Sequence, residues 1–144
     1  MNPQLPDLSR SRLALGLGCD RGTAFAALDQ AIDAALTLIG AERNQIAVMA
    51  TIDRKADELG LIELAAHYQW PVYYYSAAQL AQVTVSQPSE TVRHYMQTPS
   101  VSAAAALLAA HAGANNTALQ LEKYRWRAAS GHHVTVSIAA MTVE

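Results

Sequence analysis

Apolar and polar positions along this chain switch repeatedly between two periods. Leu13 to Leu17 is a short apolar run; from Thr23 onward Phe25, Leu28, Ile32, Leu36 and Ile39 recur at three- and four-residue spacing. The first pattern predicts a buried strand, the second an amphipathic helix with Thr23 as its N-cap and Gly40 as its stop. Ile46 to Ala50 is apolar throughout, as expected of a strand covered on both faces, and it ends at Thr51-Ile52-Asp53-Arg54-Lys55. A second helix is predicted from Asp57 through Leu61, Leu64, Ala65 and Tyr68, blocked at Pro71. Val72-Tyr73-Tyr74-Tyr75 then reads as a third strand; its tyrosines could form a stacking platform, but strand propensity explains them more simply.

Further on, Ser76 is placed to cap a short helix through Leu80, and Ser89 one that carries Val92 and Tyr95. Thr98-Pro99-Ser100-Val101 opens a helix containing the run Ala103 to Ala106 and ending near Gly113. In Lys123-Tyr124-Arg125-Trp126-Arg127 basic and aromatic residues alternate, as in a strand with one wet face, and after Gly131 the run Val134 to Ile138 returns as its partner. The order predicts an α/β fold: three layers, α-β-α, around a mixed, largely parallel sheet with a C-terminal β-hairpin. Residues 1–11, with Pro3 and Pro6, read as a flexible N-terminal arm, and residues 12–144 as a single domain.

Composition narrows the function classes. Half of the 144 residues are hydrophobic (51%) and only 15% charged, and ten basic against twelve acidic residues leave a net charge of -2, so no global field gathers nucleic acid or an anionic membrane. No run approaches the roughly 20 apolar residues of a membrane span. The opening Met1-Asn2-Pro3 lacks the order of a secretory signal, and the single Cys19 cannot form an internal disulfide. A cytoplasmic protein is expected.

Chemistry concentrates at two places. Gly16-Leu17-Gly18-Cys19-Asp20-Arg21-Gly22-Thr23 is the expected first strand-to-helix turn, where backbone amides and a helix dipole face an anion. The dinucleotide fingerprint fails there, because Arg21 occupies its third glycine position; no phosphate-loop pattern occurs either. What remains is a glycine turn with Arg21 able to grip a carboxylate or phosphate, unless the glycines only permit a tight turn. Cys19, beside Arg21 and a helix start, sits where a thiol pKa falls, although no histidine lies near in sequence to serve as its base. The second place is Thr51, Asp53, Lys55 and Glu58 at the end of the second strand, the edge where open α/β sheets bind ligands. Asp53 or Glu58 could activate water and Lys55 could steady an oxyanion; equally, Asp57 could cap the helix and Glu58 serve its first turn. Adjacent His132 and His133 would point to opposite faces, and neither a metal nor a cofactor is expected.

Five segments in this order resemble the CobE/CbiG C-terminal domain family of cobalamin biosynthesis: Gly16 to Thr23, Ala50 to Glu58, Pro88-Ser89-Glu90-Thr91-Val92, Thr98-Pro99-Ser100-Val101, and Val134 to Ala139. The likeness runs from about residue 12 to 140 and is nearest to the stand-alone CobE type. It implies a precorrin or corrinoid of the oxygen-dependent pathway as ligand, with Gly18, Cys19, Arg21, Gly22, Thr23, Thr51, Ser100 and Lys123 as binding residues. Through CbiG it also implies a precorrin lactone or ester hydrolase using Asp53, Glu58 and Lys55. A third implication is a non-catalytic partner of other cobalamin-pathway enzymes. Asp20 stands where the family is often basic, and Ala103 where its helix usually carries a glutamate.

Overall fold

In a computed structural model, residues 12–83, 101–110 and 119–141 are described. Their strands are β1 (Leu13–Cys19), β2 (Ile46–Ile52), β3 (Val72–Tyr75), β4 (Leu119–Arg127) and β5 (His133–Ala140). The helices are α1 (Phe25–Ile39), α2 (Leu59–Tyr68), α3 (Ala77–Ala81) and α4 (Val101–Ala109). The strands form one sheet in the order β3-β2-β1-β5-β4. β1 pairs in parallel with β2, and β2 with β3, whereas β5 runs antiparallel to both β1 and β4, so four strands point one way and β5 alone opposes them. This is the expected mixed α/β sheet with its terminal hairpin. No helix among the described residues is long and apolar enough to cross a membrane.

Alternation along β1 assigns the two faces. Leu13, Leu15 and Leu17 point into a core shared with Leu28, Ile32 and Leu36 of α1, Leu61 and Leu64 of α2, and Val134, Val136 and Ile138 of β5. Ala14 points the other way, into a core built with Val48, Ala50, Leu80 and the alanines of α4. Small side chains let α4 approach that face closely. A Cβ at Gly16 would run into the Ser102 carbonyl and Ala106. A buried polar contact lies under α4: the Oγ atoms of Ser102 and Ser137 are 2.7 Å apart, and the Ser137 hydroxyl donates to the Glu122 carbonyl at 2.5 Å.

Several boundaries differ from the sequence expectation. β1 continues two residues past Leu17, because Gly18 and Cys19 pair with Thr135 and Val134 of β5. Thr23 is not the N-cap of α1. Ala24 holds that position without a side-chain bond, and the Thr23 hydroxyl instead donates to the Asp20 carbonyl at 2.6 Å. Asp57 does not cap α2, which starts at Leu59 after a 3-10 turn over Asp53–Lys55. Gly40, with φ 69°, ends α1 as expected, and Ser76 caps α3 reciprocally with Gln79. The helix expected after Ser89, the Thr98 to Ser100 cap, the arm of residues 1–11 and the helix end near Gly113 lie outside the described residues.

The tight seat of α4 on Gly16 makes a direct prediction. Gly16→Ala should lower stability by about 1–3 kcal/mol or more, since backbone rather than a flexible side chain must give way. Urea unfolding of the variant against the parent chain measures it; an unchanged midpoint would show that α4 sits farther from β1.

Candidate functional site

The parallel strands end together at one edge, where the turn after β1 meets the loop after β2. Thr51, fully buried, donates its hydroxyl to the Leu17 carbonyl at 2.8 Å and ties β2 to β1 at the point where they diverge. Beyond it, the Lys55 ammonium donates to the Cys19 carbonyl at 2.5 Å. Gly22 adopts φ 80°, the left-handed region open to glycine, and its N–H donates to Oε1 of Glu58 at 3.0 Å. The anion that the turn was expected to attract is therefore the protein's own buried carboxylate.

Arg21 is held by the same loop. Its Nη1 donates to the Arg54 carbonyl at 3.2 Å, and its Nη2 reaches both oxygens of Asp57, at 3.2 and 3.1 Å. Nε lies 3.0 Å from Oε2 of Glu58, close enough for an ion pair, yet that oxygen accepts no hydrogen bond because the N–H is not aimed at it. The two carboxylates differ sharply in setting: Glu58 is 5% exposed and Asp57 72%, while Arg21 itself is 62% exposed. Arg21 holds the Asp57 carboxyl below its ordinary value, first through its hydrogen bonds and then through its charge. Asp53 is exposed and has no side-chain partner among the described residues.

Cys19 corrects a sequence expectation. Burial pushes its thiol pKa up from 9.0, and the nearby Lys55 charge opposes this only in part. Desolvation outweighs the Lys55 charge and the Thr23 hydrogen bond that favour the thiolate. Asp20 does something no sequence pattern announced. Its Oδ2 accepts the His133 backbone N–H at 2.7 Å and lies 3.2 Å from His133 Nδ1, and its own N–H donates to the His133 carbonyl at 3.1 Å. The end of β1 is thereby clasped to the start of β5. The backbone N–H of His133, followed by its side chain, draws the Asp20 carboxyl below 3.8. His132 lies in the turn before β5 and shares a hydrogen bond with Ser130.

The fold thus gathers Cys19, Arg21, Gly22, Thr23, Thr51, Lys55 and Glu58 at one edge. Gly18 lies inside β1 opposite Thr135. Lys123 is not brought there: it is exposed in a bulge of β4, where Leu121 pairs with Ile138 and Tyr124 with Val136, and β5 stands between it and β1. Ser100 lies outside the described residues. Asp57, read from sequence as a helix cap, is instead the outer partner of Arg21, a relation with no local signal because the two are 36 positions apart.

A three-layer α/β domain with a paired turn and loop at its carboxyl edge is what the fold and site define. Over residues 13–139 the chain matches the family described as Cobalamin synthesis G C-terminus, and it belongs to that CobE/CbiG C-terminal family of cobalamin-biosynthesis proteins. It is 37% identical over 127 residues to the cobalt-precorrin-5A hydrolase of Priestia megaterium, covering 88% of this chain and 32% of that protein. Protein CobE of Sinorhizobium is 33% identical over 100 residues, 68% of this chain and 65% of that one. The chain therefore spans about a third of the first relative and just under two thirds of the second. The crystal structure of CobE, a protein from the cobalamin (vitamin B12) biosynthetic pathway, superposes with a TM-score of 0.68 over 99% of both chains at 27% identity.

Two outcomes follow from the local electrostatics. Because the folded Asp20 pKa is depressed, its ionised form adds stability above the unfolded value, and that contribution disappears as pH falls through the folded value. The urea midpoints of the parent and Asp20→Asn should differ at pH 7 and converge as pH falls below the ordinary carboxylate range; a gap that stays constant with pH would exclude the clasp. Cys19 should be alkylated by iodoacetamide more slowly at pH 7 in the native chain than in urea. Faster native alkylation would mean that an activated thiolate, not a buried thiol, occupies the turn.

Proposed function

We propose that this chain binds a carboxylate-bearing tetrapyrrole, a precorrin or corrinoid intermediate of the oxygen-dependent cobalamin pathway, above the carboxyl edge of its sheet. The observation that supports this reading is the exposed Arg21 guanidinium, fixed from beneath by Glu58 and the Arg54 carbonyl at the edge where α/β sheets bind ligands. Precorrins carry acetate and propionate groups around a broad apolar ring. Such a ligand calls for cationic grips at its rim and apolar area beside them. Leu59, 78% exposed and two residues beyond Asp57, and Ile62, one turn further along α2, offer that area.

A second reading, a hydrolase opening a precorrin lactone or ester, draws on the name of the Priestia relative and on one feature of the loop. Of the three residues proposed for that chemistry, Glu58 and Lys55 are engaged with Gly22 and Cys19, whereas the Asp53 carboxylate is exposed and uncommitted. Asp53 is thus the proposed base toward water. Ser100 and Lys123 are kept as ligand contacts only on family resemblance, and docking to another pathway enzyme stands as the non-catalytic alternative.

Anaerobic titration of the purified chain with precorrins tests the first reading. Arg21→Ala should weaken affinity by about tenfold to a hundredfold, the worth of a charge-assisted hydrogen bond. Lys55→Ala should have a smaller effect, because the ammonium already serves the Cys19 carbonyl. Unchanged affinity in both variants would place the ligand elsewhere. Turnover of a lactone-bearing precorrin that vanishes in Asp53→Asn would establish the second reading, and an absence of turnover in the parent would remove it.

A further inference from the structure

We infer that Asp57 is an internal stand-in for a ligand carboxylate on Arg21, exchanged on binding while Glu58 stays in place as the anchor. The inference rests on the tetrapyrrole reading only for the identity of the ligand. Its own basis is the contrast between two consecutive carboxylates that share one guanidinium.

Glu58 is nine-tenths buried, and Oε1 takes the Gly22 N–H while Oε2 faces Nε. Withdrawing it would break the Gly22 amide bond, leave the guanidinium without its inner counter-charge and move a buried carboxylate, so exchange there is opposed. Asp57 has no such hold. It is largely in water, and both its oxygens approach the same nitrogen, Nη2, rather than matching two nitrogens of the fork. That geometry forfeits the parallel two-nitrogen arrangement of the strongest arginine–carboxylate pairs, and an exposed pair gains little over hydration. Were Asp57 to swing away, Arg21 would keep Glu58 and the Arg54 carbonyl, and only Nη2 would be released, on the solvent side.

Replacing one carboxylate by another on the same nitrogen is nearly balanced, so the incoming group must bring something more. A single small carboxylate competes poorly with a neighbour tethered at high local concentration. A polycarboxylate whose apolar body can also settle on Leu59 does better. Asp57 therefore acts as an internal competitor: it lowers affinity for every carboxylate by the fraction of time it occupies Arg21, so at low concentration only ligands with further contacts, such as apolar area on Leu59, stay bound.

The test uses the full chain, its Asp57→Asn variant, and Glu63→Gln as a control that removes an equal charge from the exposed face of α2. Uroporphyrin I, an octacarboxylate, is titrated by fluorescence, and sodium acetate by the NMR shifts of Arg21 Nε and the Gly22 amide at constant ionic strength. Asp57→Asn should bind uroporphyrin about two- to fivefold more tightly than the parent, with Glu63→Gln unchanged, and acetate should move the Arg21 resonance at lower concentration in Asp57→Asn. Equal or weaker uroporphyrin binding by Asp57→Asn, with no acetate response at Arg21, would overturn the inference while leaving tetrapyrrole binding intact. Equal tightening in Glu63→Gln would overturn it as well, reducing the effect to net charge. Should uroporphyrin bind none of the three while acetate still moves Arg21 in Asp57→Asn, the exchange would stand and the tetrapyrrole reading would fall.

Discussion

The buried carboxylate of Glu58 is the joint on which the carboxyl edge of this sheet depends. It reaches from the loop after β2 to the Gly22 amide after β1 and lies against Arg21, so two segments that no backbone ladder connects become one surface. A charge removed from water is tolerated only with partners of opposite sign or hydrogen bonds, and Glu58 has both in Arg21 and the Gly22 amide. Gly60 makes the joint possible: a Cβ there would strike the Thr23 carbonyl, so a bare backbone lets α2 start against the first turn. Thr51 on the Leu17 carbonyl and Lys55 on the Cys19 carbonyl extend the same seam along the strand ends.

This arrangement changes the meaning of an anion-attracting turn. Amides and a cation at a strand-to-helix turn describe an affinity, and proteins satisfy affinities internally whenever they can. Here the amide is satisfied by a residue sealed from water and the cation by one that remains in it. An edge whose inner carboxylate is buried and whose outer one is exposed differs from an empty pocket, because its shape is fixed by its own residues.

Much of the architecture was legible in the sequence because hydrophobic period reports burial, and burial dominates the core. The apolar runs at Leu13 and Ile46, the helical spacing from Phe25 to Ile39, and the alternation on either side of Gly131 all appear as expected. What escaped was decided by long-range pairing. β1 extends to Cys19 because β5 supplies Thr135 and Val134 as partners, which periodicity within residues 13–19 cannot register. Thr23 has the chemistry of a cap, but a turn carbonyl three residues earlier takes its hydroxyl. Residues of the candidate edge could be listed from sequence, yet their commitments could not: Arg21 reads as a free grip until Asp57 and Glu58 are seen beside it. Cys19 shows the same limit in electrostatics, since an adjacent cation is visible in sequence and desolvation is not.

The place of β1 at the centre of the sheet has a consequence for how the chain is made. One neighbour, β2, follows it closely, but the other, β5, lies near the opposite end of the sequence, with Leu13 beside Ala140 and Cys19 beside Val134. As the chain emerges during synthesis, β1, β2 and β3 can assemble early, leaving one side of β1 as a bare row of backbone donors and acceptors beside unburied leucines. That side is covered only after residues 133–140 have appeared and the Asp20 clasp has closed on His133. The interval between those events is when a foreign strand competes most strongly for the centre of this sheet.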